Sequence, residues 1–193
     1  MNIMREKIID STFDYSRPWF YRNKLALRCE LGIGKGKKFM DNAIDRAMKI
    51  AYILFENKKI DAAFYDEYFI DGKACEVGNF GINIAEVINL DMDVLHSINM
   101  IDEDIDAVKR CISYDIDFAV FERIIKNQID NQHSPLVSFV SFGNEFIFSV
   151  YDDRGCDIVF FSEDKYKEFY AKLELYFLDY DITTMKNTYN SLS

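Results

Sequence analysis

The sequence predicts an α+β fold in which helices pack on an antiparallel sheet. Three observations carry this. Apolar residues alternate with polar ones near residue 25, three later apolar runs are separated only by turn residues, and between these regions apolar residues recur every three to four positions. Two prolines, no internal repeat and no low-complexity stretch leave no linker, so the 193 residues read as one domain. A helix and lead-in occupy 1–24, and a core runs over 25–185.

Residues 2–12 predict a short helix, stopped by Arg17-Pro18-Trp19 because proline disfavours helical geometry in the residue before it. Leu25, Leu27, Cys29 and Leu31 then share one face of a strand, with Arg28 and Glu30 on the other. A glycine-rich loop from Gly32 to Gly36 leads into a long amphipathic helix whose stripe is Met40, Ala43, Ile44, Ala47, Ala51, Leu54 and Phe55, ending near Asn57. Residues 60–69 read as a second strand, Asp71 to Ile101 as mixed short elements, and Ala107 to Tyr114 as another strand. Asp117 caps a helix with stripe Phe118, Phe121, Ile125 and Ile129, which Ser134-Pro135 closes. Residues 136–142, 145–151 and 156–161 form a three-strand meander through Gly143-Asn144 and Asp152-Asp153-Arg154-Gly155. Ser162 caps a last helix that buries Tyr166, Phe169, Tyr170, Leu173 and Tyr176, with Glu163 and Asp164 in its positively polarised first turn.

The formal charge is −10, and hydrophobic residues make up 49% of the chain. Such a charge opposes nucleic-acid binding, which rests on Lys and Arg displacing counterions, and suits a basic protein partner. Cys29, Cys75, Cys111 and Cys156 are scattered with no C-x-x-C pair, so no zinc site is expected, and three of the four thiols, in apolar strand-like contexts, read as small hydrophobes. The first residues lack the apolar run of a signal peptide and no stretch approaches the ~18 apolar residues of a membrane span, so the expected location is the cytoplasm, with no membrane contact.

The loop before the long helix has the outline of a phosphate site but fails both templates. A P-loop needs glycine where Leu31 stands and Ser or Thr where Lys38 stands; a dinucleotide fingerprint needs glycine at Lys37. No cofactor is expected. Asp102, Glu103, Asp104 and Asp106 form the densest acidic run, and Asp66, Glu67 and Asp71 a second group; each reads either as a solvated surface or as a docking patch for a basic partner. His96 and His133 lie in no metal or nucleophile motif. Tyr151-Asp152-Asp153-Arg154-Gly155, followed by Asp157, reads as a tight hairpin in which Gly155 takes a left-handed conformation and the aspartates bind nearby amides and Arg154. The same carboxylates beside guanidinium groups, joined by Arg28 and Glu30, could instead serve as acid, base and anion clamp.

On Arg28-Cys29-Glu30-Leu31-Gly32, Arg46-Ala47, Tyr151-Asp152-Asp153-Arg154-Gly155-Cys156-Asp157 and Leu178-Asp179-Tyr180-Asp181, in that order and spacing from about Leu25 to Met185, the chain resembles a bacterial family known only as domain of unknown function 3885. Relative to that pattern, Cys29 replaces an aromatic, Tyr176-Phe177 stand where a tryptophan precedes Leu178, and Ile182 replaces a basic residue. The resemblance implies the architecture and no particular activity. Two functions are therefore expected from the residues themselves: a protein-binding module, most concretely a cytosolic immunity protein that neutralises a bacterial toxin such as a nuclease; or a small enzyme with an Arg/Asp/Glu cleft. Whether the chain is an enzyme is left open, with the balance toward binding.

Overall fold

The computed structural model describes residues 19–71, 73–74, 93–102, 105–131 and 136–192; the helix expected over 2–12 lies outside them. Eight strands, β1 Ala26–Glu30, β2 Ile60–Ile70, β3 Lys73–Ala74, β4 Asp93–Asp102, β5 Ile105–Ile116, β6 Ser138–Ser141, β7 Phe146–Asp152 and β8 Gly155–Phe160, form one sheet among the described residues. Its order is β1-β8-β7-β6-β2-β5-β4, with β3 paired to β2, and every described pairing is antiparallel. The helices are α1 Lys37–Leu54, α2 Phe118–Asn131, α3 Glu163–Leu173 and α4 Ile182–Ser191. The α+β class and the C-terminal meander, here β6 to β8, are as the sequence predicts.

Directly opposed residues of neighbouring strands share a face, so the register divides the sheet into two surfaces. One carries Leu27, Ile158, Phe148, Phe139 and Ala63 in a row. The helices cover this face with aromatics: Phe121 of α2 lies 4.6 Å from Phe139, Phe55 after α1 lies 5.0 Å from Phe146, and Phe169 of α3 lies 5.6 Å from Phe160. Each such ring contributes about 1.5–3 kcal/mol through burial. The expected caps form: Asp117 accepts from the amide of Ala119 and Ser162 from that of Lys165.

The opposite face carries Arg28, Asp157, Ser149, Ser138, Phe64 and Ile112 in a row, with Asp66 and Arg110 one step along β2 and β5. Trp19 stacks on Phe64 at 5.8 Å, and this polar row is as inaccessible as the apolar one.

Two expectations need correcting. Residues 93–102 form one long strand rather than mixed short elements; register shifts between Val94 and His96 and between Asn99 and Asp102 break the period-two alternation by which a strand is read. Gly155 has no left-handed backbone; a Cβ there would lie 2.1 Å from the Tyr151 hydroxyl and 2.8 Å from the Cys29 carbonyl, so close approach demands the glycine. In the β6–β7 turn Glu145 adopts positive φ, at 52°. Beyond the helix from Ser162, α4 is an element the sequence reading does not contain; its Ile-Thr-Thr-Met-Lys-Asn-Thr-Tyr-Asn-Ser composition is poor in strong helix formers.

Candidate functional site

Among the described residues, buried charge gathers where β1 meets β8. The Leu31 amide donates to the Arg154 carbonyl and the Phe160 amide to the Leu25 carbonyl, so positions 25, 27, 29 and 31 of this ladder are the hydrogen-bonded pairs. Arg28 and Asp157 then oppose each other at a non-hydrogen-bonded pair, where side chains approach most closely. Arg28 Nε donates to Asp157 Oδ1 at 2.8 Å and Nη2 to Oδ2 at 3.0 Å, a two-pronged ion pair with both side chains less than a tenth exposed. The third guanidinium nitrogen, Nη1, lies 3.7 Å from Asp181 Oδ2.

The Phe20 amide donates to Asp157 Oδ2 at 3.2 Å, and the Tyr21 hydroxyl donates to Asp181 at 3.2 Å. Phe20, Tyr21 and Tyr151 surround the guanidinium, their ring centroids 5.1, 4.7 and 5.2 Å from Cζ. Burial pulls the Arg28 pKa down, but the hydrogen bonds and charge of Asp157 outweigh it, so the net shift is upward and the cation is locked. Burial raises the Tyr151 phenol, against the opposing charge of Arg28. Arg28 also uses its backbone: its carbonyl accepts from the Leu178 amide at 3.1 Å and its amide faces Met185 Sδ at 3.3 Å. The outer edge of β1 is thereby closed by the segment leading into α4, and Cys29 bridges Phe177.

The family model described as Domain of unknown function (DUF3885) matches residues 5–181, most of the chain. The chain belongs to the DUF3885 family. No curated protein and no solved structure matches it.

In this DUF3885 domain the strings quoted from the sequence converge. Arg28 comes from the first, Asp157 from the third and Asp181 from the last, and the second contributes Arg46, which reaches from α1 to donate to the Glu30 carbonyl at 2.8 Å while its guanidinium lies 5.0 Å from the Tyr176 ring centroid. Arg154 belongs to a different arrangement. Its side chain is 76% exposed and folds back on Asp152, whose carboxylate also accepts the Arg154 amide at 2.8 Å. The two guanidiniums therefore serve different carboxylates, one inside and one outside. A cleft of about 290 Å³ adjoins the cluster between residues 20–26 and α4, but neither Arg28 nor either of its carboxylate partners lines it. A second, of about 600 Å³, lies at the far end of α1 beside Asp61 and Asn144.

The acidic docking candidates divide. Asp66 is removed from the surface: it forms a second two-pronged pair with Arg110, both contacts 2.7 Å, with both side chains almost fully buried and Arg110 4.4 Å over the Phe64 ring. Its place in phase with Ala62 and Phe64 explains the burial. Asp71 is exposed, with φ 51°, after the end of β2. Antiparallel register pairs Phe69 with Ala107 and Asp102 with Ile105, so Asp71 and Asp102 lie at one end of the sheet. Glu103 and Asp104 lie outside the described residues, as do Cys75 and His133, and the side chains of Glu67, Asp102, Asp106 and His96 are likewise outside them. Among the described residues no three His, Cys, Asp or Glu gather as metal ligands, and no helix is long and apolar enough to cross a membrane.

Sequence reasoning passed over Tyr21, Arg46, Arg110 and Asp181 as site residues. Arg110 had a signal, since it stands in the same strand phase as Ile112. Tyr21 had none.

Proposed function

We propose that this domain is a protein-binding module of the bacterial cytoplasm, an immunity protein that binds and neutralises a basic toxin domain. The observation that carries the reading is the fate of the motif charges. Arg28, Asp157 and Asp181 direct their polar atoms to one another and to Phe20 and Tyr21 inside the fold, as framework groups do, whereas proton-transfer groups must face a substrate-sized opening. A formal charge of −10 supports a basic partner, and Asp71 and Asp102, at one end of the sheet, with Glu103, Asp104 and Asp106 beside them in sequence, supply steering charge.

The test pairs the full chain with a basic toxin domain sought among the neighbouring genes and by co-purification. Co-production should abolish toxicity, and the complex should associate more slowly as salt is raised. Replacing Asp71, Asp102, Glu103 and Asp104 by their amides should slow association about tenfold at low ionic strength, where fields reach roughly 30 Å, and much less at physiological salt. Toxicity that persists on co-production, or association that does not slow as salt is raised, would refute the reading.

A further inference from the structure

The segment from Glu174 to Ile182 is held from within and carries large apolar side chains on its outside. Phe177 and Asp181 are buried, while Leu175 is 90% exposed, Tyr180 85% and Ile182 37%. Single exposed apolar side chains are common, but three within eight residues, on a segment with no slack, are not scattered exposure. Two 3-10 turns, Glu174–Tyr176 and Asp179–Asp181, shape the segment. Cys29, the Arg28 carbonyl, Arg46 and the Arg28–Asp181–Tyr21 contacts hold it at successive points. The outward side chains are thus displayed on backbone that is already ordered, which lowers the entropic cost of burying them against a partner.

Charge says which partner. Glu174 and Asp179 are exposed beside the two large side chains, and no Lys or Arg occurs between Lys172 and Lys186. A second copy is a poor occupant, because a two-fold contact would set the same acidic patch against itself in a chain of charge −10. A phosphate-rich surface is repelled for the same reason.

We propose that Glu174–Ile182 is the contact surface for the basic protein partner, with Leu175 and Tyr180 as anchors in apolar pockets and Glu174 and Asp179 as the charged rim. This rests on the immunity reading and names its interface. The surface flanks β1, and β4 with Asp102 is at the other edge of the sheet, six strand spacings or roughly 30 Å away. The acids at the far edge therefore steer through the field at low salt, and the anchors act by contact.

The experiment compares wild type, L175A/Y180A and E174Q/D179N in the full chain against the basic toxin domain, by binding kinetics at physiological salt. Both variants should retain the wild-type unfolding midpoint, since the altered side chains face solvent. L175A/Y180A should weaken binding a hundredfold or more, chiefly through faster dissociation, and fail to neutralise the toxin; E174Q/D179N should slow association severalfold. If wild type neutralises the toxin and L175A/Y180A binds equally well, this interface is wrong while the immunity reading stands. If wild type binds no basic toxin domain, both fall. Sedimentation and flotation with phosphatidylcholine vesicles complete the test: wild-type self-association or vesicle binding that L175A/Y180A abolishes would assign the patch to a second copy or a lipid surface and overturn the proposal.

Discussion

Arg28 and Arg154 are both arginines beside aspartates, yet burial gives them different worth. The Arg28–Asp157 pair is enclosed and hydrogen-bonded at both prongs, so removing one partner strands a charge inside the fold. Asp157→Asn should destabilise by about 3 kcal/mol or more. Arg154, paired with Asp152 in solvent, contributes little because water screens the pair, and Arg154→Ala should change stability by less than about 0.5 kcal/mol. Denaturant midpoints of the two variants decide it; equal losses would show that the buried pair is not the framework contact described above. Asp66 and Arg110 repeat the buried arrangement, which explains why an aspartate in an acidic-looking stretch is no surface group.

At the scale of elements, Arg46 links three pieces of structure. It projects from α1, donates to the carbonyl of Glu30 in β1 and packs on Tyr176 in the turn beyond α3. Arg46→Ala should leave the meander untouched and loosen residues 174–182. Amide exchange in that segment should accelerate about tenfold, the equivalent of roughly 1.4 kcal/mol of local opening, while β7 and β8 exchange as in wild type. Uniform acceleration across the sheet would instead mean that Arg46 supports the whole fold. The strand pair β4 and β5 shows the complementary lesson: a long ladder forms although bulges hide its alternation.

Across the whole molecule, buried phenols tie stability to alkaline pH. Burial raises the pKa of Tyr151 above the ordinary 10.0 despite the charge of Arg28, and burial with the neighbouring Tyr170 does the same for Tyr166. Below pH 10 the phenol is protonated in both folded and unfolded chains, and the stability linked to it is intact. Above pH 10 the unfolded chain ionises first, so stability falls as pH rises toward the folded-state values. Tyrosinate absorbance should accordingly rise in two stages, the later one coinciding with unfolding and diminished in Tyr151→Phe and Tyr166→Phe. A single stage in the folded protein, complete before unfolding, would contradict the burial of both phenols.

Periodicity and turn chemistry determined the α+β class, the meander, the caps at Asp117 and Ser162 and the long helix after Gly36, because these depend on neighbours a few residues away. Composition determined the acidic charge. Motif strings identified the family, and they held Arg28, Arg46, Asp157 and Asp181 without revealing that Arg28, Asp157 and Asp181 meet and that Arg46 braces the segment beside them. Only the tertiary structure decided that, through the pairing of β1 with β8 and the return of residues 177–178 along the β1 edge. It also decided which charges are inside: Asp66 and Asp71 are five residues apart in sequence, and whether a carboxylate faces Arg110 or water follows from strand register and from what packs on each face of the sheet.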